Sequence, residues 1–142
     1  MQANADAALA RRLRLATCRW ATSRELQPVP TKHILVVDDD PLILEVIERA
    51  LCAADFRVSK ARRVAFARDV LIRQPVDLIV ADARIPGETG LQLAEKAREL
   101  GIAMILMTGD LEWASEHGMA PDQYLAKPFA LSELLERVRA FL

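Results

Sequence analysis

The sequence predicts an α/β domain in which a parallel β-sheet carries helices on both of its faces. Two observations lead to this fold class: strand and helix patterns alternate regularly from Lys32 onwards, and three of the strand patterns are short, wholly apolar runs. Regular alternation is typical of βα units, whose crossover helices cover both faces of a sheet. Wholly apolar runs indicate parallel strands that are buried on both faces. Five such units follow one another in the 142 residues.

The first two units extend to Pro75. Residues 34–37 form a short, mostly β-branched run, and Pro41 begins a helix at its first turn, where proline is favoured. A weaker strand pattern covers residues 56–59, and a second helical pattern covers residues 63–73. The inward positions expected from the helical period are Ile43, Val46, Ile47, Ala50 and Leu51 in the first helix, and Phe66, Ala67, Val70 and Leu71 in the second.

The other three units continue to Leu142. Strands are expected at residues 78–81, 102–107 and 123–126. Helices are expected at residues 90–100, in a short segment around Trp113 that ends near Gly118, and from Ser132 onwards. Gly101 is placed to end the first of these helices, because glycine readily adopts the left-handed conformation there.

Polar side chains follow four of the predicted strands at the point where each strand ends. In chain order these are Asp38, Asp39, Asp40, Asp82, Thr108 and Lys127. Parallel sheets of this class bind ligands at the carboxyl ends of their strands, so we expect these side chains to lie close together.

This set of residues indicates phosphoryl-transfer chemistry. Carboxylates that lie close together repel one another unless a cation offsets them, and Mg²⁺ is the cation that oxygen ligands of this kind suit. The ammonium group of Lys127 suits a phosphate oxygen, and an aspartate can itself carry a phosphoryl group as an acyl phosphate. Phosphoryl transfer depends mainly on positioning and charge neutralisation, and the predicted edge offers both.

The composition is that of a soluble globular protein, with 52% hydrophobic and 27% charged residues. No apolar run is long enough to cross a bilayer. Cys18 and Cys52 lie far apart, which argues against a disulfide framework and favours a reducing, cytoplasmic location. No group of cysteines and histidines has the spacing of zinc ligands.

Charge is unevenly distributed along the chain. Residues 1–31 hold five arginines against two acidic residues, whereas residues 32–142 hold 14 basic and 18 acidic residues. The acidic balance of the second part argues against nucleic acid as its direct ligand. Pro28 and Pro30 separate the two parts. We interpret residues 1–31 as a disordered or frayed extension, with a basic docking or targeting arm as the alternative.

Over residues 32–142 the chain resembles the receiver domain of two-component response regulators. Five groups of residues carry the resemblance in the family's order: 34–41 (ILVVDDDP), 76–82 (VDLIVAD), 85–87 (IPG) with Gly90, 107–109 (MTG) and 124–129 (YLAKPF). The resemblance implies a flavodoxin-like (βα)5 fold with strand order 2-1-3-4-5.

The resemblance also implies a site and a phosphoryl donor. A histidine kinase or a histidine phosphotransfer protein would supply the phosphoryl group, and Asp82 would accept it. Asp39, Asp82 and the backbone carbonyl of Arg84 would hold Mg²⁺ directly, with Asp38 assisting through water. Lys127 would pair with the incoming phosphate. Such a protein catalyses only its own phosphorylation and dephosphorylation, so it is not an enzyme in the usual sense.

In the family the signal leaves through a switch at two positions, which match Thr108 and Tyr124 here. The threonine hydroxyl would turn to a phosphoryl oxygen, and the tyrosine would change rotamer and alter the face made by the fourth and fifth helices. The Lys127–Pro128 bond would be cis. Tyr124 as a simple core-edge aromatic is the alternative.

Two features depart from the family's usual pattern. The stretch from Thr108 to Lys127 is about one helical turn shorter and includes Pro121, which puts a standard dimer or partner mode through this region in doubt. Gly109 stands where alanine is more frequent.

Arg84 lies two residues after Asp82, and Asp110 lies two residues after Thr108. We hypothesise that Arg84 and Asp110 pair and slow hydrolysis of the phosphoryl group, with two solvated side chains as the alternative.

Three functions fit this set of residues. The favoured one is a stand-alone receiver that signals through a protein partner, because the final helix ends at Leu142 and is expected to leave no room for an output domain. No direct contact to nucleic acid or membrane is expected. A haloacid dehalogenase-type phosphatase would use Asp38 and Asp40 as its Asp-x-Asp pair. A docking module that is never phosphorylated would not need the full set of site residues.

His33 and His117 are expected at the surface of the domain. Asp40 is expected at the rim of the site, beside the N-terminus of the first helix.

Overall fold

A computed structural model describes residues 31–85 and 88–142. The predicted extension therefore lies almost wholly outside the described residues, as do Pro86 and Gly87. The strands of the main sheet are β1 (His33–Val37), β2 (Arg57–Ala61), β3 (Leu78–Asp82), β4 (Ala103–Thr108) and β5 (Tyr124–Ala126). The helices are α1 (Pro41–Ala53), α2 (Val64–Arg73), α3 (Gly90–Leu100), α4 (Leu111–Glu116) and α5 (Leu131–Phe141). Within the described ranges, no helix is both long enough and apolar enough to cross a membrane.

The sheet confirms the predicted fold class and strand order. Its five strands lie in the order β2-β1-β3-β4-β5, and every pair of neighbours is parallel. Two small elements were not predicted: a short antiparallel pair, Arg84–Ile85 with Glu88–Thr89, and a 3₁₀ turn at Pro121–Gln123. The antiparallel pair follows β3 directly and lies at the carboxyl edge of the sheet, whereas the 3₁₀ turn precedes β5 and lies at the amino end of that strand.

The core consists of two apolar clusters, one on each face of the sheet. Successive residues of β1 point to opposite faces, so Ile34 and Val36 join one cluster while Leu35 and Val37 join the other. The first cluster also receives α1 and α5, and the second receives α2 and α3. This double coverage explains why the central strands are apolar throughout.

Two residues expected to face the core do not. Phe66 on α2 is 59% exposed, and Val46 on α1 is 50% exposed. In α2 the residues buried against the sheet are Val64 and Ala67, so Phe66 falls on the exposed side of the helix. In α1 the buried positions are Leu44, Ile47 and Leu51, which leaves Val46 to one side.

His33 was predicted at the surface, and this prediction is wrong. The residue is 3% exposed at the start of β1. Its ring nitrogens Nδ1 and Nε2 lie 2.8 Å from the carbonyl oxygen of Pro75 and 2.8 Å from the hydroxyl of Ser59, respectively. Burial lowers the pKa of the imidazole below 6.5, although the contact with Pro75 partly opposes this. A histidine that begins a strand can be covered by loops that no local pattern reveals.

We expect the His33 ring to make folding sensitive to mild acid. Its folded-state pKa is lowered, so the unfolded chain binds more protons below pH 6.5, and the free energy of unfolding should fall as the pH falls through that range. Urea unfolding of wild type and His33→Gln in EDTA between pH 5 and 8 measures this effect. The variant should lose this part of the pH dependence, whereas His117→Gln, at an exposed position, should keep it. Identical pH profiles for wild type and His33→Gln would show that the ring does not contribute.

Cys52 on α1 is disulfide-bonded, whereas the separation of the two cysteines in the sequence argued against a disulfide framework. The only other cysteine of the chain, Cys18, lies outside the described residues.

Candidate functional site

The carboxyl ends of four strands bring the predicted site residues to one edge of the sheet. Asp38 follows β1, and its N–H donates to the carbonyl of Ala61 at the end of β2 (3.1 Å). Asp82 and Thr108 are the last residues of β3 and β4. Lys127 follows β5, and its N–H donates to the carbonyl of Thr108 (2.7 Å). Backbone pairing between neighbouring strands therefore fixes where each side chain emerges.

Three carboxylates form a compact acidic cluster. One carboxylate oxygen from each of Asp38, Asp39 and Asp82 lies within 4.8 Å of the others. The side chains of Asp38 and Asp82 are 1% and 14% exposed, so solvent screens their repulsion weakly. Such a cluster requires positive charge to persist in its ionised form.

Asp38 has the least favourable environment of the three. Its Oδ1 accepts a hydrogen bond from the N–H of Asp40 (2.9 Å), but its Oδ2 is buried and has no hydrogen-bond partner among the described residues. Burial raises the pKa of Asp38 to about 6, the N–H of Asp40 opposes the rise, and the nearby charge of Asp82 adds to it. A buried carboxylate oxygen without a partner is suited to receive a cation or the water bound to one.

Lys127 is the one ammonium group of the described residues that contacts this cluster. Its Nζ lies 3.0 Å from Oδ2 of Asp82 and 3.8 Å from Oδ2 of Asp38. One positive charge does not balance three carboxylates, and oxygen donors of this kind fit a hard divalent cation such as Mg²⁺. The backbone N–H of Arg84 donates to Oδ1 of Asp82 (3.0 Å), so the loop after β3 lies against this carboxylate. The carbonyl of Arg84 as a ligand stays a prediction.

Asp40 lies outside the cluster and caps α1. Its side chain accepts a hydrogen bond from the N–H of Leu42 (2.9 Å), as an N-cap residue does. The predicted place of Asp40 beside the helix N-terminus is therefore confirmed. An Asp-x-Asp pair would bring Asp38 and Asp40 to the same ligand, and the carboxylates that gather here are instead those of Asp38, Asp39 and Asp82.

Thr108 is buried and connected to the start of α4 through Asp110. The threonine hydroxyl donates to the carbonyl of Asp110 (3.3 Å) and accepts from its N–H (3.0 Å). The side chain of Asp110 caps α4 by accepting from the N–H of Trp113 (2.9 Å). Sequence reasoning missed this cap, although an aspartate directly before a helix is a recognised signal for one.

Arg84 and Asp110 meet as the sequence suggested. Nη2 of Arg84 lies 3.5 Å from Oδ2 of Asp110, with the two side chains 82% and 44% exposed. A pair this exposed contributes little to folding stability. Asp110 alone therefore contacts the hydroxyl of Thr108, the first turn of α4 and, through Arg84, the loop after β3.

The shortened region before β5 is held by a residue that the sequence did not single out. Arg137 on α5 donates through Nη1 to the carbonyls of Pro121 (2.8 Å) and Tyr124 (2.6 Å). Tyr124 is half-buried and packs against the apolar cluster beneath α2 and α3. The Lys127–Pro128 bond is cis, as predicted. An arginine on an amphipathic helix carries no sequence signal for this contact, because the carbonyls it meets belong to a distant loop.

Comparison with known proteins identifies the family and the fold. The family model of the response regulator receiver domain matches residues 34–139. The transcriptional regulatory protein TorR of Escherichia coli O157:H7 is 33% identical over 114 residues, which cover 78% of this chain and 50% of TorR. The protein PetR of Rhodobacter capsulatus is 37% identical over 114 residues, which cover 78% of this chain and 48% of PetR. The chain thus spans about half the length of the curated relatives it matches.

Solved structures of response regulators superpose on this domain. The response regulator TrrA of Thermotoga maritima, in complex with Mg(2+)-BeF, superposes with a TM-score of 0.70 at 30% identity, over 79% of this chain and all of TrrA. The receiver domain of the TMAO respiratory response regulator TorR superposes with a TM-score of 0.68 at 31% identity, over 77% of this chain and 94% of that domain. Receiver domains take phosphoryl groups from histidine kinases onto an aspartate at an acidic, Mg²⁺-binding pocket. With its fold, its acidic cluster and these matches, the chain belongs to the response regulator receiver domain family.

Proposed function

We propose that this protein accepts a phosphoryl group on Asp82. The observation that carries the proposal is the position of Asp82 at the end of β3, 3.0 Å from the ammonium group of Lys127 and within the cluster of carboxylates. A carboxylate oxygen of Asp82 would attack phosphorus while the bond to the donor breaks and the leaving group keeps the electron pair. Water would later cleave the acyl phosphate and regenerate the carboxylate.

The other site residues have separable roles in this proposal. When Asp82 is phosphorylated, the ammonium group of Lys127 would exchange its contact with the carboxylate of Asp82 for a contact with an oxygen of the phosphoryl group. Asp39, Asp82 and the carbonyl of Arg84, with Asp38 through water, would hold a Mg²⁺ ion, which supplies charge neutralisation for the transferred group when it is bound. The N–H of Arg84 keeps one oxygen of Asp82 in a fixed direction.

Thr108 and Asp110 offer a route from the phosphoryl group to the surface. To reach a phosphoryl oxygen, the hydroxyl of Thr108 would give up its two hydrogen bonds with the backbone of Asp110. Asp110 is also the residue that caps α4, so the start of this helix would respond to the change. A new rotamer of Tyr124 would extend the response to β5, as the resemblance implies.

The proposed donor is a histidine kinase or a histidine phosphotransfer protein, and the proposed receiver domain spans residues 32–142. The output would reach a protein partner, since the domain itself is acidic overall. Action as a stand-alone receiver stays a prediction, because curated relatives that match this chain are about twice as long.

The proposal is tested by phosphorylating the purified protein with acetyl phosphate and Mg²⁺ and recording its intact mass. Wild type should gain one phosphoryl group, and the gain should be absent in EDTA and in Asp82→Asn. A beryllofluoride binding measurement serves as the control for a phosphorylated form that decays too fast to detect. If the protein shows neither an adduct nor binding of beryllofluoride, the proposal is contradicted and a docking module is favoured. An adduct that persists in Asp82→Asn but disappears in Asp38→Asn would favour the phosphatase.

Arg84→Ala is expected to shorten the lifetime of the phosphorylated protein about threefold, a change of roughly 0.6 kcal/mol in the barrier. The pair of Arg84 with Asp110 lies at the mouth of the site, and removing the side chain should ease the approach of water. The backbone carbonyl of residue 84 is kept, so Mg²⁺ affinity should change little. Mass spectrometry of the decaying adduct gives the lifetime.

Two controls identify the pair as the cause. Asp110→Asn keeps an oxygen to cap α4 but removes the charge, so it should shorten the lifetime as much as Arg84→Ala, and the double variant should add nothing further. Arg139→Ala, an exposed arginine on α5, should have no effect. An unchanged lifetime in Arg84→Ala rules out this role.

A further inference from the structure

The edge of the domain formed by β2 and α2 is strongly basic, although the domain as a whole is acidic. Residues 57–73 hold six basic residues and one acidic residue, whereas the rest of residues 32–142 hold eight basic and 17 acidic residues. None of these six basic residues belongs to the acidic site described above. A separation of charge on this scale produces a field that attracts anionic groups to one edge of the molecule.

A groove of about 390 Å³ lies along this edge, between β2 and α2. Its lining includes Lys60 and Arg62 from the end of β2 and its following turn, and Phe66, Val70 and Arg73 from α2. The α2 positions are spaced so that they fall on one side of the helix. Phe66 is 59% exposed here, and β2 is the terminal strand of the sheet, so no strand of the described residues lies beyond it.

The cations of the groove differ in how firmly they are held, and Arg73 is the most available. Arg62 donates through Nε and Nη2 to the carbonyl of Asp39 (3.3 Å each). Arg73 pairs with Asp69 at 3.6 Å, and these side chains are 74% and 58% exposed. Lys60 pairs with Glu48 at 3.1 Å, and these side chains are 38% and 13% exposed. The pair of Arg73 with Asp69 is exposed and contributes little to stability, so an anionic ligand can take over Arg73 at small cost. The groove therefore combines available positive charge with an exposed aromatic ring.

The positive charge and the exposed aromatic ring of the groove together favour one kind of ligand. The basic segment 1–31 of the chain itself, with five arginines against two acidic residues, would be repelled. A long nucleic acid would extend from this edge towards the acidic remainder of the domain and lose affinity there. A short acidic peptide segment with one large apolar side chain meets both requirements, because its carboxylates reach the cations while its apolar side chain packs against Phe66 and Val70.

We propose that the β2–α2 edge is a docking surface for an acidic segment of a partner protein, one apolar side chain of which inserts into the groove beside Phe66. This contact would use side chains outside the acidic cluster, with Arg62 adjoining the cluster through the carbonyl of Asp39, and it does not require Asp82 to be phosphorylated. The partner would therefore be held at one edge of the domain while the phosphoryl group acts at another.

The test is binding of the full-length protein to a fluorescein-labelled twelve-residue peptide of aspartate and glutamate with one central phenylalanine, followed by fluorescence anisotropy. A second peptide carries serine in place of the phenylalanine. Arg73→Glu should weaken binding of the first peptide by about tenfold, and Phe66→Ala by about fivefold. The serine peptide should bind more weakly to wild type and should be insensitive to Phe66→Ala. Binding should also fall as salt is raised.

Matched controls lie on the same helix. Arg68→Glu makes the same change of charge as Arg73→Glu at an exposed position that does not line the groove, and Ile72→Ala removes a side chain that is 77% exposed. We expect at most a threefold loss for Arg68→Glu, from the general field, and none for Ile72→Ala. Circular dichroism checks that each variant is folded.

Three results would overturn the proposal. Equal losses for Arg73→Glu and Arg68→Glu, with no effect of Phe66→Ala, would reduce the edge to unspecific electrostatics. A labelled DNA duplex that binds more tightly than the peptide, with the same dependence on the variants, would make the surface a nucleic-acid site. No binding of either peptide at low salt would show that the edge is not a docking surface for acidic segments.

Discussion

Replacing Asp38 with asparagine is expected to stabilise the metal-free protein at pH 8 by about 2 kcal/mol, while reducing the stabilisation that Mg²⁺ confers on wild type. Oδ2 of Asp38 is buried without a hydrogen-bond partner among the described residues, and burial raises the pKa of this carboxyl to about 6. An ionised Asp38 therefore weakens the fold unless a cation compensates it. An amide carries no charge, and its oxygen can still accept from the N–H of Asp40.

The effect should depend on pH in a defined direction. Because the folded-state pKa of Asp38 lies above the ordinary aspartate value of 3.8, the stability that comes from its protonation is fully present below pH 3.8 and is lost as the pH rises through about 6. The difference between Asp38→Asn and wild type should thus be small at pH 4 and largest at pH 8. Urea unfolding in EDTA, repeated with 10 mM Mg²⁺ at pH 8, measures both parts.

Asp40→Asn is the matched control for this experiment. It makes the same chemical change in a carboxylate that caps α1 outside the cluster, and asparagine caps equally well. Its free energy of unfolding should stay within about 0.5 kcal/mol of wild type. A metal-free Asp38→Asn protein less stable than wild type at pH 8 would mean that the charge of Asp38 is well compensated by Lys127 alone.

Gly90→Ala is expected to lower the free energy of unfolding by about 2–3 kcal/mol. A β-carbon at this position would lie 2.8 Å from Cδ2 of Leu106, 2.9 Å from the backbone oxygen of Asp82 and 3.2 Å from Cα of Ala83. The leucine side chain can move, but the two backbone atoms belong to the end of β3 and its following turn. Relief of the clash would therefore displace either α3 or the backbone that carries Asp82, so phosphorylation by acetyl phosphate should also slow.

Gly109→Ala provides the comparison. No atom lies within 4 Å of the β-carbon that this change adds, and Gly109 does not have a positive φ. This variant should match or slightly exceed the stability of wild type, because alanine restricts the unfolded chain more than glycine does. Urea unfolding of both variants tests the pair. Similar losses in the two would show that the close approach at Gly90 has no special cost.

The sequence predicted the fold well because the signals for it are local. Apolar runs revealed the three central strands, and helical periodicity revealed the helices between them. The errors occurred where burial depends on distant parts of the chain. Phe66 fits an inward helical position, yet it lies on the exposed side of α2, because the helix buries Val64 and Ala67 against the sheet. His33 looks like a surface residue, yet the segment around Pro75 and the hydroxyl of Ser59 enclose its ring.

The site was predictable for a different reason. Parallel strands bring their carboxyl ends to one edge, so Asp38, Asp82, Thr108 and Lys127 could be placed together without coordinates. What the sequence could not supply was the connection of the site to its surroundings. The contact of Arg137 with the carbonyls before and within β5 joins a helix to a loop more than ten residues away, and no local pattern encodes it.

The most direct test of the central proposal is to find which aspartate carries the phosphoryl group. Protein treated with acetyl phosphate and Mg²⁺ would be reduced with sodium borohydride, which converts an aspartyl phosphate into homoserine, then digested and sequenced by tandem mass spectrometry. The position of Asp82 beside Lys127 predicts homoserine at residue 82 and unmodified aspartate at residues 38, 39 and 40. Homoserine at residue 38, with residue 82 unchanged, would contradict the assignment of Asp82 as the acceptor and indicate the phosphatase instead.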